Sequence, residues 1–550
     1  MRNHFIGVDV GTGSARAGVF DETGQLLATA KHDIDMHRDG GGIAEQSSEQ
    51  VWAAVCTATR AAVTQAAIDP GSIRGIGFDA TCSLVVRGRD DAPLPVGDPD
   101  HPERDIIVWM DHRAVEQAAR INTGDYDVLK YVGGRISPEM QTPKLLWLKE
   151  NRPEIYEAAG HFFDLTDFLT WKATGSRARS TCTVTCKWTY LAHENRWDAA
   201  YFQAIGLGDL VDQEFARIGT EMVAPGTALA QGLTEEAAAE LGLTPGISVG
   251  AGLIDAHAGG LATVGASGGA EDPAACLGYV FGTSSCTMTT TRAPAFVPGV
   301  WGPYFSAMIP GAWLNEGGQS VAGAAIDQLV TLHPAHGDAQ DLARTAGKSL
   351  PQFLADSALS QSNSASDAVR RADHLHVVPE FLGNRAPFAD PQARAVIAGL
   401  GMAQDLDSLI ALYVAGICGL GYGLRQIIDT QSQNGAPVSR IAISGGAGSH
   451  PLIRQLLADA TGLPVEATEC EEPVLLGAAM LGAVACGAFS SLDDAMPAMS
   501  RISKVYTPAT GSTRVRHDAR FAAFLALQET ARSIRAAENA QQNTDSETEV

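Results

Sequence analysis

Two segments far apart in the chain share one pattern, in which an apolar strand ends in a Gly-Thr turn and is followed by a returning strand. Phe5 to Val10 leads into Gly11-Thr12-Gly13-Ser14, and Leu277 to Phe281 leads into Gly282-Thr283-Ser284-Ser285. A pattern that recurs at such a distance indicates an internal repeat. The sequence therefore predicts two related α/β halves.

The domain organisation follows from length and local composition. At about 100–200 residues per domain, the 550 residues allow two to four domains. Small and polar residues at 265–273 are typical of a connection. We therefore expect lobes at 1–265 and 274–500. A helical segment is expected at 501–537, and a disordered tail at 538–550 because that stretch is polar and acidic.

The charge balance excludes several classes of protein. The chain has 39 Lys and Arg residues against 63 Asp and Glu residues, a formal net charge of −24. Nucleic acids and anionic membranes are bound by basic surfaces, so neither is expected as a partner. The first residues lack the long apolar run of a signal peptide, and the nine cysteines form no CxxC pair. These features indicate a cytoplasmic protein with reduced thiols.

Several segments have recognisable local patterns. Ser47 with Gln50 three residues later resembles a capping box that opens a helix through Ala67. Apolar residues at spacings of three and four from Leu406 to Ile428 predict a long helix that ends at Asn434-Gly435.

A third glycine-rich turn, Gly445 to Ser449, follows the short apolar strand at 441–444. Glycine allows backbone N–H groups to approach a phosphate closely, and Ser or Thr hydroxyls add donors. Any one of the three turns is equally explained as an ordinary tight turn, but three together favour a nucleotide held between the lobes. The first turn lacks the third glycine of a dinucleotide fingerprint, and the chain has no P-loop motif.

Two carboxylates lie in positions suited to chemistry. Asp9 ends the first apolar strand beside the first turn, where it either caps the loop or helps to hold Mg²⁺ near phosphate. Asp255 lies among small residues and is either a turn residue or a base that accepts a proton from an attacking hydroxyl. His257, two residues further on, is expected to be a packed neutral histidine.

The segment 181–188 alternates Thr181, Thr183, Thr185 and Lys187 with apolar residues, which predicts a strand with one polar face. Lys187 on that face either reaches a polyol or phosphate or is simply solvated.

Two further motifs are weaker. Cys182 and Cys186 with His193 fit none of the usual zinc spacings. Ser267 lies in a G-x-S-x-G string, but Glu271-Asp272-Pro273 follows where a hydrolase needs a helix.

Taken together, these motifs resemble the FGGY carbohydrate kinases, a branch of the actin/Hsp70/sugar kinase superfamily. Asp9-Val-Gly-Thr-Gly-Ser-Ala-Arg16 matches the first phosphate motif of that family, Gly282-Thr283-Ser284 is similar to the second, and Ser444 to Ser449 resembles the adenosine motif. The resemblance covers residues 4 to 490. It implies that ATP is bound by Gly11, Thr12, Gly13, Ser14, Arg16, Gly282, Thr283, Ser284, Gly445, Gly446 and Ser449.

Within the family, the chain looks closest to the pentulose kinases that act on ribulose. The turn around Asp79, the Trp109-Met-Asp111 segment and Glu316-Gly-Gly-Gln319-Ser320 each resemble that branch, as does Gly383-Asn-Arg-Ala-Pro387.

The resemblance implies a fold of two ribonuclease-H-like lobes with ATP, Mg²⁺ and a sugar in the cleft between them. It also implies phosphorylation of the terminal hydroxyl of a ketopentose, with D-ribulose first and L-ribulose, xylulose or a pentitol as alternatives. The rival hypothesis is a non-catalytic ATP- and sugar-binding module, and a homodimer is the assembly that the resemblance suggests. The implied roles are Asp255 as base, Asp9 and Asp255 at the metal, and sugar contacts by Asp79, Asp111, Lys187 and Glu316.

Overall fold

A computed structural model of the chain describes residues 3–266 and 272–548, with side chains as far as residue 539. The strands of the first half are β1 (His4–Val10), β2 (Ser14–Asp21), β3 (Leu26–Asp33), β4 (His37–Asp39), β5 (Ile43–Gln46), β6 (Ile73–Ala80), β7 (Leu84–Gly88), β8 (Ile106–Ile107), β9 (Ala159–Asp164), β10 (Arg179–Ser180), β11 (Met222–Val223) and β12 (Ser248–Ile254). Its helices are α1 (Ser48–Ala66), α2 (Val115–Ile121), α3 (Gln141–Asn151), α4 (Pro153–Ala158), α5 (Leu165–Thr174), α6 (Thr181–Lys187), α7 (Ala199–Ala204), α8 (Gly208–Asp212), α9 (Glu235–Leu241) and α10 (Asp255–Gly265).

The main sheet of the first half has the strand order β12-β6-β1-β2-β3. The first three strands of the chain form an antiparallel meander, and β6 and β12 add to it in parallel with β1. All seven residues of β1 are buried, which explains why its sequence is nearly continuously apolar. The capping box is confirmed, because the Ser47 side chain accepts a hydrogen bond from the N–H of Gln50 at the start of α1.

The second half begins again with a strand and a hairpin. Its strands are β13 (Cys276–Phe281), β14 (Ser285–Thr291), β15 (Trp301–Phe305), β16 (Trp313–Gln319), β17 (His376–Val378), β18 (Val396–Ala398), β19 (Arg440–Ser444), β20 (Val465–Thr468) and β21 (Ile502–Tyr506). Its helices are α11 (Gly323–Thr331), α12 (His336–Thr345), α13 (Leu350–Ser360), α14 (Leu406–Gln433), α15 (Pro451–Thr461), α16 (Pro473–Ala485), α17 (Leu492–Met499) and α18 (Gly511–Thr548).

The second sheet repeats the topology of the first. Its order is β15-β16-β14-β13-β19-β20-β21. Within it, β13, β14 and β16 form an antiparallel meander, and β19 and β20 run parallel to β13. These five strands match the order and directions of the first sheet. The two related halves expected from the repeated Gly-Thr turn are therefore confirmed, as is the fold of two ribonuclease-H-like lobes that the resemblance implied.

The halves are joined by two helices that each pack on the sheet of the other half. Helix α16, from the second half, lies on β1, β6 and β12, while α10, from the first half, packs against α16 and on β13. Close approach requires glycine in the sheet: a Cβ on Gly77 would lie 2.0 Å from the carbonyl oxygen of Ala478. The two halves that meet in the sequence near 265–273 are therefore packed against each other through α10 and α16.

The long helix predicted from residue 406 is confirmed as α14, which ends before Asn434. It is the one helix of the described residues that is long and apolar enough to cross a membrane, and 72% of its most apolar window is buried inside the protein. It packs against α11, α13 and α15. Such burial identifies it as the central helix of the second lobe.

Three sequence expectations are corrected. Residues 181–187 form helix α6 and not a strand. Residues 502–506 form the edge strand β21 within the segment that was expected to be helical. Helix α18 continues through residues 538–548, which were expected to be disordered, and 549–550 lie outside the described residues. Ser267, the candidate hydrolase nucleophile, also lies outside them.

Candidate active site

The first two glycine turns lie at equivalent places in the two lobes, and in each the N–H of the first glycine bonds to a serine carbonyl of the same turn. The N–H of Gly11 donates to the carbonyl of Ser14 at 3.0 Å, and the N–H of Gly282 donates to the carbonyl of Ser284 at 2.9 Å. The Thr12 hydroxyl accepts a hydrogen bond from Trp109 Nε1 at 3.0 Å. Each turn thus links the first strand of its lobe to the second.

The third turn lies against the end of β13. Gly445 has φ +97°, and a Cβ on it would lie 2.4 Å from the carbonyl oxygen of Phe281. Both the backbone conformation and the contact require glycine here. Because Phe281 directly precedes Gly282, this packing brings the predicted adenosine turn beside the second phosphate turn.

Three carboxylates lie at the ends of neighbouring strands of the first sheet. Asp9 on β1 pairs in register with Asp79 on β6, and Ile254, which precedes Asp255, pairs with Ala80. Asp79 is fully buried, and neither of its carboxylate oxygens has a hydrogen-bond donor among the described residues. Burial and the adjacent Asp9 raise the pKa of Asp79 well above its usual range.

This cluster fits a cation. Burial, followed by the charge of Asp9, raises the pKa of Asp255 to about 6. Mg²⁺ prefers oxygen ligands such as carboxylates. A bound cation would also offset the repulsion between carboxylates that share a partly water-excluded site. Asp79, which we expected to contact sugar, lies inside this cluster beside Asp9.

Arg16 connects the cluster to the second half of the chain. Its Nε donates to Asp9 Oδ2 at 2.8 Å, and its Nη1 donates to Glu472 Oε2 at 2.7 Å. Glu472 directly precedes α16. The arginine of the first phosphate motif therefore contacts both lobes.

Asp255 is the first residue of α10, and its Oδ1 accepts a hydrogen bond from the N–H of Ala256 at 2.7 Å. His257 follows on the same helical turn and is fully buried. His257 Nδ1 lies 3.0 Å from Cys182 Sγ, and Nε2 lies 3.4 Å from Glu316 Oε2. Burial opposes the cationic form, but the charges of Cys182 and Glu316 raise the pKa of His257. The expectation of a packed histidine is confirmed, and the raised pKa favours the cationic form over the expected neutral one.

The thiols of helix α6 meet His257 and not His193. The ligand atoms of Cys182, Cys186 and His257 lie within 4.8 Å of one another. His193 contacts the rings of Tyr131 and Trp313 instead.

Glu316 is held on both of its oxygens. Arg385 Nη2 donates to Oε1 at 2.8 Å, and His257 lies against Oε2. Although burial disfavours the charged form, His257, Arg385 and Lys187 lower the pKa of Glu316 to about 2. Glu316 is therefore ionised at neutral pH.

Two cations beside Glu316 lie over one aromatic ring. Lys187 Nζ is 4.8 Å from the centroid of Trp301, and Arg385 Cζ is 5.2 Å from it. The side chain of Lys187 is only 5% exposed, so the solvated alternative is wrong. Arg385 and Trp301 were missed as site residues, although Arg385 stands in the Gly383-Asn-Arg-Ala-Pro387 string.

Asp111 is saturated by protein donors. Its Oδ1 accepts from Arg113 Nε at 2.8 Å, and its Oδ2 accepts from the N–H of Ala44 at 2.7 Å and from Arg113 Nη2 at 2.8 Å. It has no exposed surface. In this structure the carboxylate fixes Arg113 and strand β5 in place, and the expected sugar contact of Asp111 stays a prediction.

Two ribonuclease-H-like lobes, with matched phosphate turns and a carboxylate cluster between them, define a two-lobed sugar kinase. Residues 4–262 match the N-terminal domain of the FGGY family of carbohydrate kinases, and residues 277–486 match its C-terminal domain. The chain belongs to the FGGY family, whose members transfer phosphate from ATP to carbohydrates.

Proteins similar to this chain include one from human and one from yeast. The human FGGY carbohydrate kinase domain-containing protein is 47% identical over 541 residues, which is 96% of each chain. The D-ribulokinase of Saccharomyces cerevisiae is 38% identical over 511 residues, covering 88% of this chain and 72% of the yeast protein. The crystal structure of xylulose kinase from Rhodospirillum rubrum superposes with a TM-score of 0.79 at 20% identity, covering 97% and 99% of the two chains. That structural likeness establishes the fold.

Proposed function

We propose that this kinase phosphorylates the terminal hydroxyl of a ketopentose, with D-ribulose as its main substrate. The observation that carries the proposal is the ionised carboxylate of Glu316, held beside Lys187 and joined through His257 to the helix that begins with Asp255. An oriented carboxylate and an ammonium group together suit a chain of hydroxyls. The resemblance to the yeast D-ribulokinase supports ribulose as the sugar.

Asp255 acts as the general base in this proposal. With a pKa of about 6 it is mainly ionised at neutral pH yet still basic enough to accept a proton. Its place at the first turn of a buried helix fixes its position relative to Glu316. The terminal hydroxyl of the sugar loses its proton to Asp255 as its oxygen attacks the γ-phosphorus of ATP.

In this proposal the phosphate groups of ATP bind at the turns Gly11–Ser14 and Gly282–Ser285, and the adenosine binds at Gly445–Ser449. Asp9 and Asp255 would hold Mg²⁺, which offsets phosphate charge when it is bound. The backbone N–H groups of the turns and the guanidinium of Arg16 supply the other positive partners. These groups explain how a chain of net charge −24 accommodates an anionic nucleotide.

The test is release of ADP from Mg-ATP across a panel of D-ribulose, L-ribulose, D-xylulose, ribitol and glycerol. We expect the highest kcat/KM with D-ribulose. A higher kcat/KM with another sugar would transfer the assignment to that sugar. Absence of turnover with every sugar would favour the non-catalytic binding module.

A further inference from the structure

The site contains a buried histidine whose part in sugar binding the proposed function leaves undefined. His257 lies two residues after Asp255 on α10, and it is enclosed by α6 on one side and β16 on the other. Burying a polar imidazole costs free energy unless its ring nitrogens interact with polar partners. Here each ring nitrogen has an acidic group beside it. Its geometry therefore calls for an explanation.

Each nitrogen of the ring faces a different element. Nδ1 faces the Cys182 thiol at 3.0 Å, and Nε2 faces Glu316 Oε2 at 3.4 Å. The Cys182 sulfur also accepts the N–H of Ile254 at 3.4 Å, directly before the proposed base. The imidazole thus spans from the strand that precedes Asp255 to the carboxylate that faces the sugar.

The second anchor of Glu316 comes from a separate part of the chain. Arg385 Nη2 binds Oε1 at 2.8 Å, while Arg385 Nη1 lies 3.4 Å from Cys286 Sγ. Arg385 forms a hydrogen bond to one oxygen and His257 forms an ion-pair contact with the other at 3.4 Å, so rotation of the carboxylate about its last bond would break both contacts. A carboxylate fixed in one plane accepts sugar hydroxyls from one direction only, which favours one arrangement of those hydroxyls over its epimers.

We infer that His257 is a positioning residue for sugar recognition, which fixes the Glu316 carboxylate through Nε2 and links it to the helix of the base. This inference rests on the proposed function, because it assigns His257 a role in binding that sugar. It adds a residue that sets substrate affinity without contacting ATP.

Two amide substitutions separate this role from simple packing. The amide nitrogen of glutamine reaches approximately the place of Nε2, whereas that of asparagine reaches only the place of Nδ1. We expect His257→Gln to keep the sugar KM within about three-fold of wild type. We expect His257→Asn and His257→Leu to raise it about ten- to hundred-fold, the range for loss of a hydrogen bond to a charged group. The ATP KM should change by less than about two-fold in all three variants.

The control is His333→Gln, which alters a buried histidine in the second lobe that bonds to Ser408 and Ala335. It should leave both KM values unchanged. Thermal melting and sugar titration calorimetry on every variant separate loss of affinity from loss of folding. If His257→Gln and His257→Asn raised the sugar KM equally, or if the ATP KM rose in parallel, the positioning role of His257 would be overturned. The proposed function would not be affected by either result.

The kinetic comparison uses whichever sugar of the panel gives the highest kcat/KM with the wild-type chain. A different preferred sugar would therefore correct the proposed substrate while leaving this comparison intact. Absence of both turnover and binding heat with every sugar in the wild-type chain would overturn the proposed function and this inference together.

Discussion

At the scale of single residues, the ionised state of Glu316 is the feature that most sharply separates sugar binding from nucleotide binding. Glu316→Ala removes the carboxylate and leaves Arg385 and His257 without their common partner. We expect the sugar KM to rise by about ten-fold or more, because a charged hydrogen-bond acceptor is lost, while the ATP KM changes little. Steady-state kinetics with each substrate varied in turn measures the difference.

Glu240→Ala is the matched control, since Glu240 binds Trp52 Nε1 in the first lobe outside the site. An unchanged sugar KM in Glu316→Ala would remove Glu316 from the sugar site.

Among the predicted site residues, Asp255 and Glu316 stand in distinctive local strings, whereas Lys187 was predicted from a looser local similarity. Asp255, Glu316 and Lys187 were all predicted, and the structure brings Glu316 and Lys187 together around Trp301. Trp301 was missed because no local pattern includes it, and Arg385 was missed, although it stands in a noted string, because its contacts with Glu316 and Trp301 arise from long-range packing. Asp111 was assigned to the sugar, but the sequence cannot show that Arg113 and the N–H of Ala44 already occupy both oxygens.

At the scale of elements, the packing of α16 on the first sheet depends on glycine. A Cβ at Gly77 would lie 2.0 Å from the carbonyl oxygen of Ala478, so Gly77→Ala must push the helix from the sheet. Overpacking of this kind costs about 1–3 kcal/mol, and a backbone contact leaves little room for relief. We expect a lower midpoint of urea denaturation. Gly40→Ala is the control, because nothing lies within 4 Å of its added Cβ; equal midpoints for the two variants would contradict the close packing.

The docking of α18 provides a pH-dependent prediction. His517 is fully buried, and its Nδ1 lies 2.9 Å from the Tyr422 hydroxyl of α14. Burial, followed by nearby arginines, lowers the pKa of His517 to about 3. The charged groups around it are Arg520, Arg514, Asp518 and Arg425.

Because the folded pKa is lowered, the stabilisation is present above the unfolded pKa of about 6.5 and is lost as pH falls towards 3. Between pH 7 and pH 5 the loss is about 2 kcal/mol. Urea denaturation at both pH values should show this loss in the wild type and a smaller one in His517→Gln. The same pH dependence in both proteins would contradict the burial of a neutral His517.

Element prediction failed where periodicity was ambiguous. Residues 181–187 alternate polar and apolar side chains, yet they form a helix because the Ser180 side chain accepts the N–H of Cys182 and Asp167 accepts the Thr183 hydroxyl. Seven residues are too few for alternation alone to decide between strand and helix. By contrast, α14 was predicted well because its apolar spacing extends over many turns.

At the scale of the whole molecule, the two lobes are tied by exchanged helices and by Arg16, which binds Asp9 in one half and Glu472 in the other. Internal repetition in the sequence predicted two lobes, but it could not predict that α10 and α16 cross to the opposite sheets. Placing phosphate between the turns of two lobes requires them to approach each other. We expect D-ribulose with a non-hydrolysable ATP analogue to lower the radius of gyration in X-ray scattering. An unchanged radius with both ligands bound would contradict closure.

In the proposed reaction, Asp255 promotes transfer of the γ-phosphate of ATP to the terminal hydroxyl of D-ribulose. Its most direct test is ³¹P NMR of a reaction containing the enzyme, Mg-ATP and D-ribulose. We expect a phosphomonoester resonance coupled to the terminal methylene protons. Its rate of appearance should fall about a hundred- to ten-thousand-fold in Asp255→Asn, although calorimetry still detects sugar binding. Inorganic phosphate as the sole product, a phosphoester at another carbon, or near-normal turnover by Asp255→Asn would contradict it.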